Sequence, residues 1–148
     1  LAKELARAIM SAKRKKQPIE TTSQLREIVE QVVLRTKPEN PKEAVKKTCQ
    51  RVFQALRIDV NSEFEVLDSF LEALPHILKP GGKAAILTFH SGEDRMVKKS
   101  FQYYAREGIY SDIAKDVIRP SAKECASNPR ARSTKFRWAV RSDVQKYE

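Results

Sequence analysis

Apolar residues return at helical spacing from the first position onward. Leu1, Leu5, Ala8, Ile9 and Ala12 form one stripe, which runs into Lys13-Arg14-Lys15-Lys16 before Pro18 ends the helix. A second helix opens at Thr21, where Gln24 completes a capping box, and its stripe is Leu25, Ile28, Val29, Val32 and Val33. Asn40, Pro41 and Glu43 combine an N-cap, a proline at the first helical position and a capping acid. They predict a third helix through Val45, Cys49, Val52 and Leu56. Cys49 falls on the buried stripe, so it reads as a small core residue rather than a nucleophile.

After Ile58 the pattern changes. Ser62 and Glu65 predict another capping box, followed by a helix with Phe64, Leu67, Leu71, Leu74 and Leu78 on one face and a kink at Pro75. Lys79-Pro80-Gly81-Gly82 stops it, and Ala84 to Phe89 is a nearly unbroken apolar run of strand length. Such a run predicts a parallel strand buried on both faces, with ligands collecting at its carboxyl end, at His90 and beyond. A helix starts at Ser91, with Asp94 as its capping acid, and continues through Val97, Phe101 and Tyr104 to Gly108. Ile109 to Arg119 is expected to be a short helix. Ser121 with Glu124 caps another, Asn128 to Ser133 is a turn-forming cationic loop, and Phe136 to Val140 alternates as a terminal strand. The fold class is therefore α/β with an incomplete sheet. No repeat or low-complexity tract is present, and 38–41 reads as a loop rather than a domain linker.

Composition sharpens this. The 148 residues are 41% hydrophobic, enough for a folded core, and carry a formal net charge of +10. Residues 1–57 hold 14 basic against 6 acidic side chains, and 58–148 hold 15 against 13, so the first third carries the field. That asymmetry suits a phosphate-backbone partner, although a solvated surface accounts for it equally well. The Lys13 to Lys16 cluster also complements its helix dipole. The two cysteines form no CxxC pair, and with the two histidines they match no zinc spacing, so neither a disulfide framework nor a structural metal is expected. Free thiols suit cytoplasm or an organelle matrix. No apolar run is long enough to span a membrane, and the opening Leu1-Ala2-Lys3-Glu4 reads as the interior of a longer product.

Three segments could carry chemistry. Thr88 to Arg95 gathers an imidazole, a hydroxyl, two carboxylates and a guanidinium where a strand meets a helix N-terminus. Capping by Ser91 and Asp94, dipole compensation by Glu93 and pairing of Arg95 with a carboxylate would explain each singly; a strand end favours a ligand-facing role for the group. No GxSxG surrounds Ser91, which argues against a serine hydrolase. Asn128, Arg130 and Arg132 could fork onto phosphates or simply be solvated. In Phe53 to Asn61, core packing explains Phe53 and Leu56, while Arg57 and Asn61 are candidate polar contacts. Neither a phosphate-cradling GxxxxGK[ST] loop nor GxGxxG occurs.

Taken in order, Pro18-Ile-Glu-Thr-Thr22 with Leu25, Phe53-Gln-Ala-Leu-Arg-Ile58 with Val60-Asn61, Leu78-Lys-Pro-Gly-Gly82, Phe89-His-Ser91 with Glu93-Asp-Arg95, and Asn128-Pro-Arg-Ala-Arg-Ser133 resemble the MraW (RsmH) family. The resemblance implies methylation of a cytosine in small-subunit ribosomal RNA, using S-adenosyl-L-methionine (AdoMet). It implies that residues 1–57 are part of a helical inserted domain and that 58–148 are the later half of a Rossmann-like methyltransferase sheet. The family's glycine-rich AdoMet loop and ribose-holding acid would precede Leu1, so no cofactor-binding residue is expected in this chain. His90, Asp94 and Arg95, with Ser91, would line the base or its flanking phosphates. Arg130 and Arg132, beside Asn128, would clamp the RNA backbone, and Lys13, Arg14, Lys15 and Lys16 would steer it. Two positions depart from the family pattern: Gly92 stands where leucine is usual, and the stretch before Phe53 lacks His-Pro-Ala-Thr. A sheet without its first strands would also leave an edge open to self-association. The alternative is a non-catalytic RNA-binding module derived from the same fold; a helical DNA-binding protein fits less well, for want of a complete helix-turn-helix.

Overall fold

A computed structural model of the chain describes residues 1–144. The backbone forms two compact units, Leu1–Asn61 and a second that begins at Ser62.

The first unit consists of α1 (Ala2–Arg14), α2 (Thr22–Arg35) and α3 (Pro41–Asn61). Its core joins Leu5 of α1, Val29, Val32 and Val33 of α2, and Val45 of α3, with Ala8, Ala44, Cys49 and Val52 packed around them. The middles of the periodic stripes read from the sequence are thus the faces that meet, while Leu1 and Leu56 at their ends stay exposed. The Thr21 capping box forms: Thr21 Oγ1 accepts the Gln24 N–H at 3.2 Å, and Gln24 Oε1 accepts the Thr21 N–H at 3.0 Å. Asn40 Oδ1 accepts from the Glu43 N–H at 3.4 Å in the same role for α3. Burial pushes the Cys49 thiol up, which keeps it protonated and inert. The helix α3 continues through Arg57 and Ile58 to Asn61.

The second unit opens with α4 (Glu63–Ile77). The expected Ser62 capping box does not form. Ser62 joins α3 to α4 in the left-handed conformation (φ 51°), whereas a side-chain N-cap needs an extended residue. Pro75 lies in the last turn, where it cannot donate to the Leu71 carbonyl one turn back, yet α4 carries on to Ile77. The turn after it depends on glycine twice. Gly81 has φ +77°, and a Cβ on Gly82 would sit 2.7 Å from the Lys79 carbonyl oxygen.

Next come β1 (Lys83–Thr88), α5 (Ser91–Arg106), β2 (Tyr110–Ile113), α6 (Ala122–Ser127), a 3-10 turn (Pro129–Ser133) and β3 (Lys135–Arg141). The strands form one sheet in the order β1-β3-β2. Both pairings are antiparallel, with Ala85 opposite Trp138 and Leu87 opposite Phe136, so the expectation of a parallel β1 is corrected. The apolar run does not mean two buried faces either. Ala84 and Thr88 point inward and are buried, while Leu87 on the other face is 57% exposed. Residues 109–119 are also corrected, from short helix to strand. Tyr110–Ile113 pairs with β3 across a bulge, and Ile118 exchanges backbone hydrogen bonds with Phe136. Tertiary pairing with the long edge of β3 outweighs a weak local preference. The turn-forming 128–133 segment is a 3-10 turn over Pro129–Ser133, capped by Asn128.

Leu71 and Leu74 of α4, Ala84 of β1, Val97, Phe101 and Tyr104 of α5, and Tyr110 and Ala139 make the core on the inner face. Two arginines of β3 share that face. Arg141 is buried, and its Nε donates to the Pro75 carbonyl at 2.9 Å. Among the described residues no helix is long and apolar enough to cross a membrane.

Candidate functional site

The strand-to-helix passage at the carboxyl end of β1 is built by its own caps. His90 is extended (φ −144°, ψ 162°), and its Nδ1 accepts the Glu93 N–H at 3.4 Å, so His90 is the N-cap of α5. Glu93 answers through Oε2, which accepts the Phe89 N–H at 3.2 Å. This reciprocal arrangement replaces the Ser91 and Asp94 cap expected from the sequence. Asp94 is engaged elsewhere: Arg137 Nε donates to Oδ1 at 2.7 Å and Nη2 to Oδ2 at 3.2 Å. Both side chains are largely withdrawn from solvent, 9% exposed for Arg137 and 15% for Asp94. The bidentate pair ties the first turn of α5 to β3. Ser91 and Arg95 are exposed on that same turn.

An imidazole that accepts through Nδ1 carries its proton on Nε2. His90 Nε2 is buried. It lies 3.3 Å from Glu93 Oε1, but off the line that a hydrogen bond requires, and it has no other hydrogen-bond partner. Glu63, at the start of α4, completes a group whose ligand-type atoms lie within 4.8 Å of one another. Two carboxylates and an imidazole could hold a cation only if Nε2 gave up its proton, and moving that proton to Nδ1 would break the helix cap. The cluster is therefore set up to present an N–H between carboxylates.

Phe64 closes the group. Its ring meets the imidazole edge-on, with centroids 5.7 Å apart and planes at 68°. A Cβ on Gly92 would stand 2.9 Å from Phe64 Cζ and 3.2 Å from His90 Nδ1, so the ring occupies the space that a side chain at 92 would need.

The other candidates from the sequence lie on other elements. Lys13 and Arg14 end α1, Lys15 and Lys16 follow it, Arg57 lies on α3 and Asn61 closes α3; all are exposed and belong to the first unit. The groove between α1 and α2, about 940 Å³, sets Arg7, Lys15 and Arg35 against Glu4, Glu20 and Glu27, so it is no cationic channel. In the second unit Asn128 Oδ1 accepts the Arg130 N–H at 3.2 Å, and buried Ala131 anchors the turn that holds Arg130 and Arg132 out to solvent.

Three contributors were missed in the sequence. Arg137 had a signal, since it alternates with Ala139 and Arg141 on the inward positions of β3, and a buried arginine implies a buried acceptor. Glu63 and Phe64 had none, because the packing of α4 against α5 brings them to His90.

Comparison with known proteins adds to this geometry. A family model described as the MraW methylase family matches residues 1–142. A "Ribosomal RNA small subunit methyltransferase H 1" of Agathobacter rectalis is 62% identical over 140 residues, covering 95% of this chain and 40% of that protein. The protein of the same name from Lachnoclostridium phytofermentans is 60% identical over 142 residues, covering 95% and 38%. A "Ribosomal RNA small subunit methyltransferase H 2" of Alkaliphilus metalliredigens is 56% identical over 139 residues, covering 93% and 40%. The chain thus spans about two fifths of the length of these curated relatives.

Proposed function

Because this chain belongs to the MraW methylase family, we propose that it is part of an AdoMet-dependent enzyme that methylates the exocyclic amine of a cytosine in small-subunit ribosomal RNA. The observation that carries this reading is the match across residues 1–142, together with relatives named as methyltransferases of that RNA. The sheet of the second unit is read as the later part of a Rossmann-like methyltransferase domain, and the three helices of the first as part of an inserted domain.

AdoMet itself does not fit the residues described. Gly81 and Gly82 lie in the turn before β1, Gly108 follows α5, and Gly92 is closed off by Phe64, so no glycine opens a cradle between a strand and a helix. The chain's own contribution lies on the acceptor side. The amine of cytosine is a weak nucleophile, because its lone pair is delocalised into the ring. Positioning and acceptors for its hydrogens therefore supply most of what this side of the reaction needs. The base must leave its stack to arrive, and exposed cations such as Arg95, Arg130, Arg132 and the Lys13 to Lys16 cluster would hold the flanking phosphates.

The absence of a cradle among the described residues is what keeps a second reading in play, a non-catalytic RNA-binding module. One experiment separates the two. The chain, joined to the portion of the Agathobacter rectalis relative that it does not cover, is incubated with methyl-labelled AdoMet and small-subunit ribosomal RNA, and the RNA is digested to nucleosides. Label recovered on the cytidine amine supports the enzyme. Salt-sensitive RNA binding without label supports the module, and label on another base overturns the proposed chemistry.

A further inference from the structure

We propose that Glu63, Phe64, His90 and Glu93 form a recognition pocket for a flat heterocycle with an exocyclic amine beside a ring nitrogen acceptor. This rests on the RNA reading above and deepens it, by assigning the base-recognising role to residues of which two, Glu63 and Phe64, come from α4.

The hydrogen-bonding pattern of the cluster carries the argument. Glu63 and Glu93, when ionised, can only accept. His90, fixed as the Nε2–H form by its cap, can only donate at Nε2, and that N–H is buried without a hydrogen bond. A buried donor lacking an acceptor is costly and calls for one. Carboxylate next to N–H is the complement of an amine next to an unprotonated ring nitrogen, which is the pattern on the pairing edge of cytosine. Uracil presents the reverse, a carbonyl beside a ring N–H. It would set oxygen against carboxylate and N–H against N–H.

Phe64 supplies the flat surface. Its ring is 38% exposed although it packs against His90 and Gly92. Because Nε2 is covered in the free chain, entry of a base requires this ring to swing from its edge-on contact. It is then placed to stack on the base. Gly92 gives the ring room that any side chain would deny it.

The test is a titration of the whole chain with three oligoribonucleotides that differ at one position, which carries cytidine, uridine or no base. The wild type is expected to favour cytidine over uridine by roughly tenfold, and to lose roughly tenfold on the abasic strand, as one good polar pair and one stacked ring allow. Glu63→Gln, whose amide can serve either base at that point, should weaken the preference for cytidine, with the His90 N–H still opposing uridine. Phe64→Leu should erase the penalty for the missing base, and Phe64→Tyr should retain it while guarding against a folding defect. Equal, salt-sensitive binding of all three strands by the wild type overturns the pocket and leaves the RNA reading standing. Full cytidine preference in Glu63→Gln also overturns it. Failure to bind any strand overturns both.

Discussion

Asp94→Ala would leave the Arg137 guanidinium buried with no carboxylate. Removing one partner of such a pair costs roughly 3 kcal/mol, because the remaining charge stays desolvated. Urea unfolding should show that loss, and Arg137→Leu combined with Asp94→Leu should recover much of it, since no unpaired charge then remains. Tyr110 is the opposite case. Its ring packs edge-on against Phe101 and Tyr104, but its hydroxyl is buried with no hydrogen bond, and burial pushes its pKa up to about 12. The folded chain therefore holds this proton more tightly than the unfolded one. The resulting stability is fully present below about pH 10 and is lost as pH rises to about 12, on the order of 2–3 kcal/mol. In Tyr110→Phe that part of the alkaline decline in melting temperature should vanish, with no loss of stability at neutral pH.

Where an element's ends are chemically marked, the sequence places it well. Thr21 with Gln24 and Asn40 with Glu43 cap their helices as read, and Ser121 Oγ accepts the Glu124 N–H at 3.1 Å ahead of α6. Thr21→Ala should cost about 1 kcal/mol by thermal melting, the usual value of an N-cap. The marks misled at Ser62, whose backbone is left-handed, and at Ser91, where His90 and Glu93 do the capping one residue earlier. At Ser91 the outcome depends on a neighbouring strand, because Arg137 of β3 takes Asp94. The strand β2 was illegible for the same reason: Tyr110 and Ile109 are inward because α5 covers them, and nothing local distinguishes them from a helical pair. At the contact between α4 and α5, Gly92→Leu would drive its side chain into Phe64, a clash worth roughly 1–3 kcal/mol. Adding Phe64→Ala should relieve it. A double-mutant cycle in denaturant reads the coupling directly.

At the scale of the molecule, among the described residues β1 pairs with β3 along one side only, and the outer face of the sheet carries a groove of about 430 Å³ lined by Ala85, Phe136, Trp138 and Val140 among others. An unpaired edge beside exposed apolar side chains favours association. Sedimentation velocity should show mass rising with concentration, and Leu87→Lys, a charge on that face opposite Phe136, should suppress it without lowering the melting temperature. The candidate site was legible only as a location. The strand-to-helix passage from β1 to α5 could be read locally, but that Asp94 would be committed to an arginine depended on Arg137, 43 residues further along the chain.

The strand that holds this sheet together is also the last of the three to be synthesised. Among the described residues β1 and β2 pair with no strand but β3, so both must wait for Lys135–Arg141 to insert between them. A ribosome that stalls before that point releases two orphan strands with their amides bare, so the second unit should solidify in one late, cooperative event rather than piecemeal as it leaves the exit tunnel.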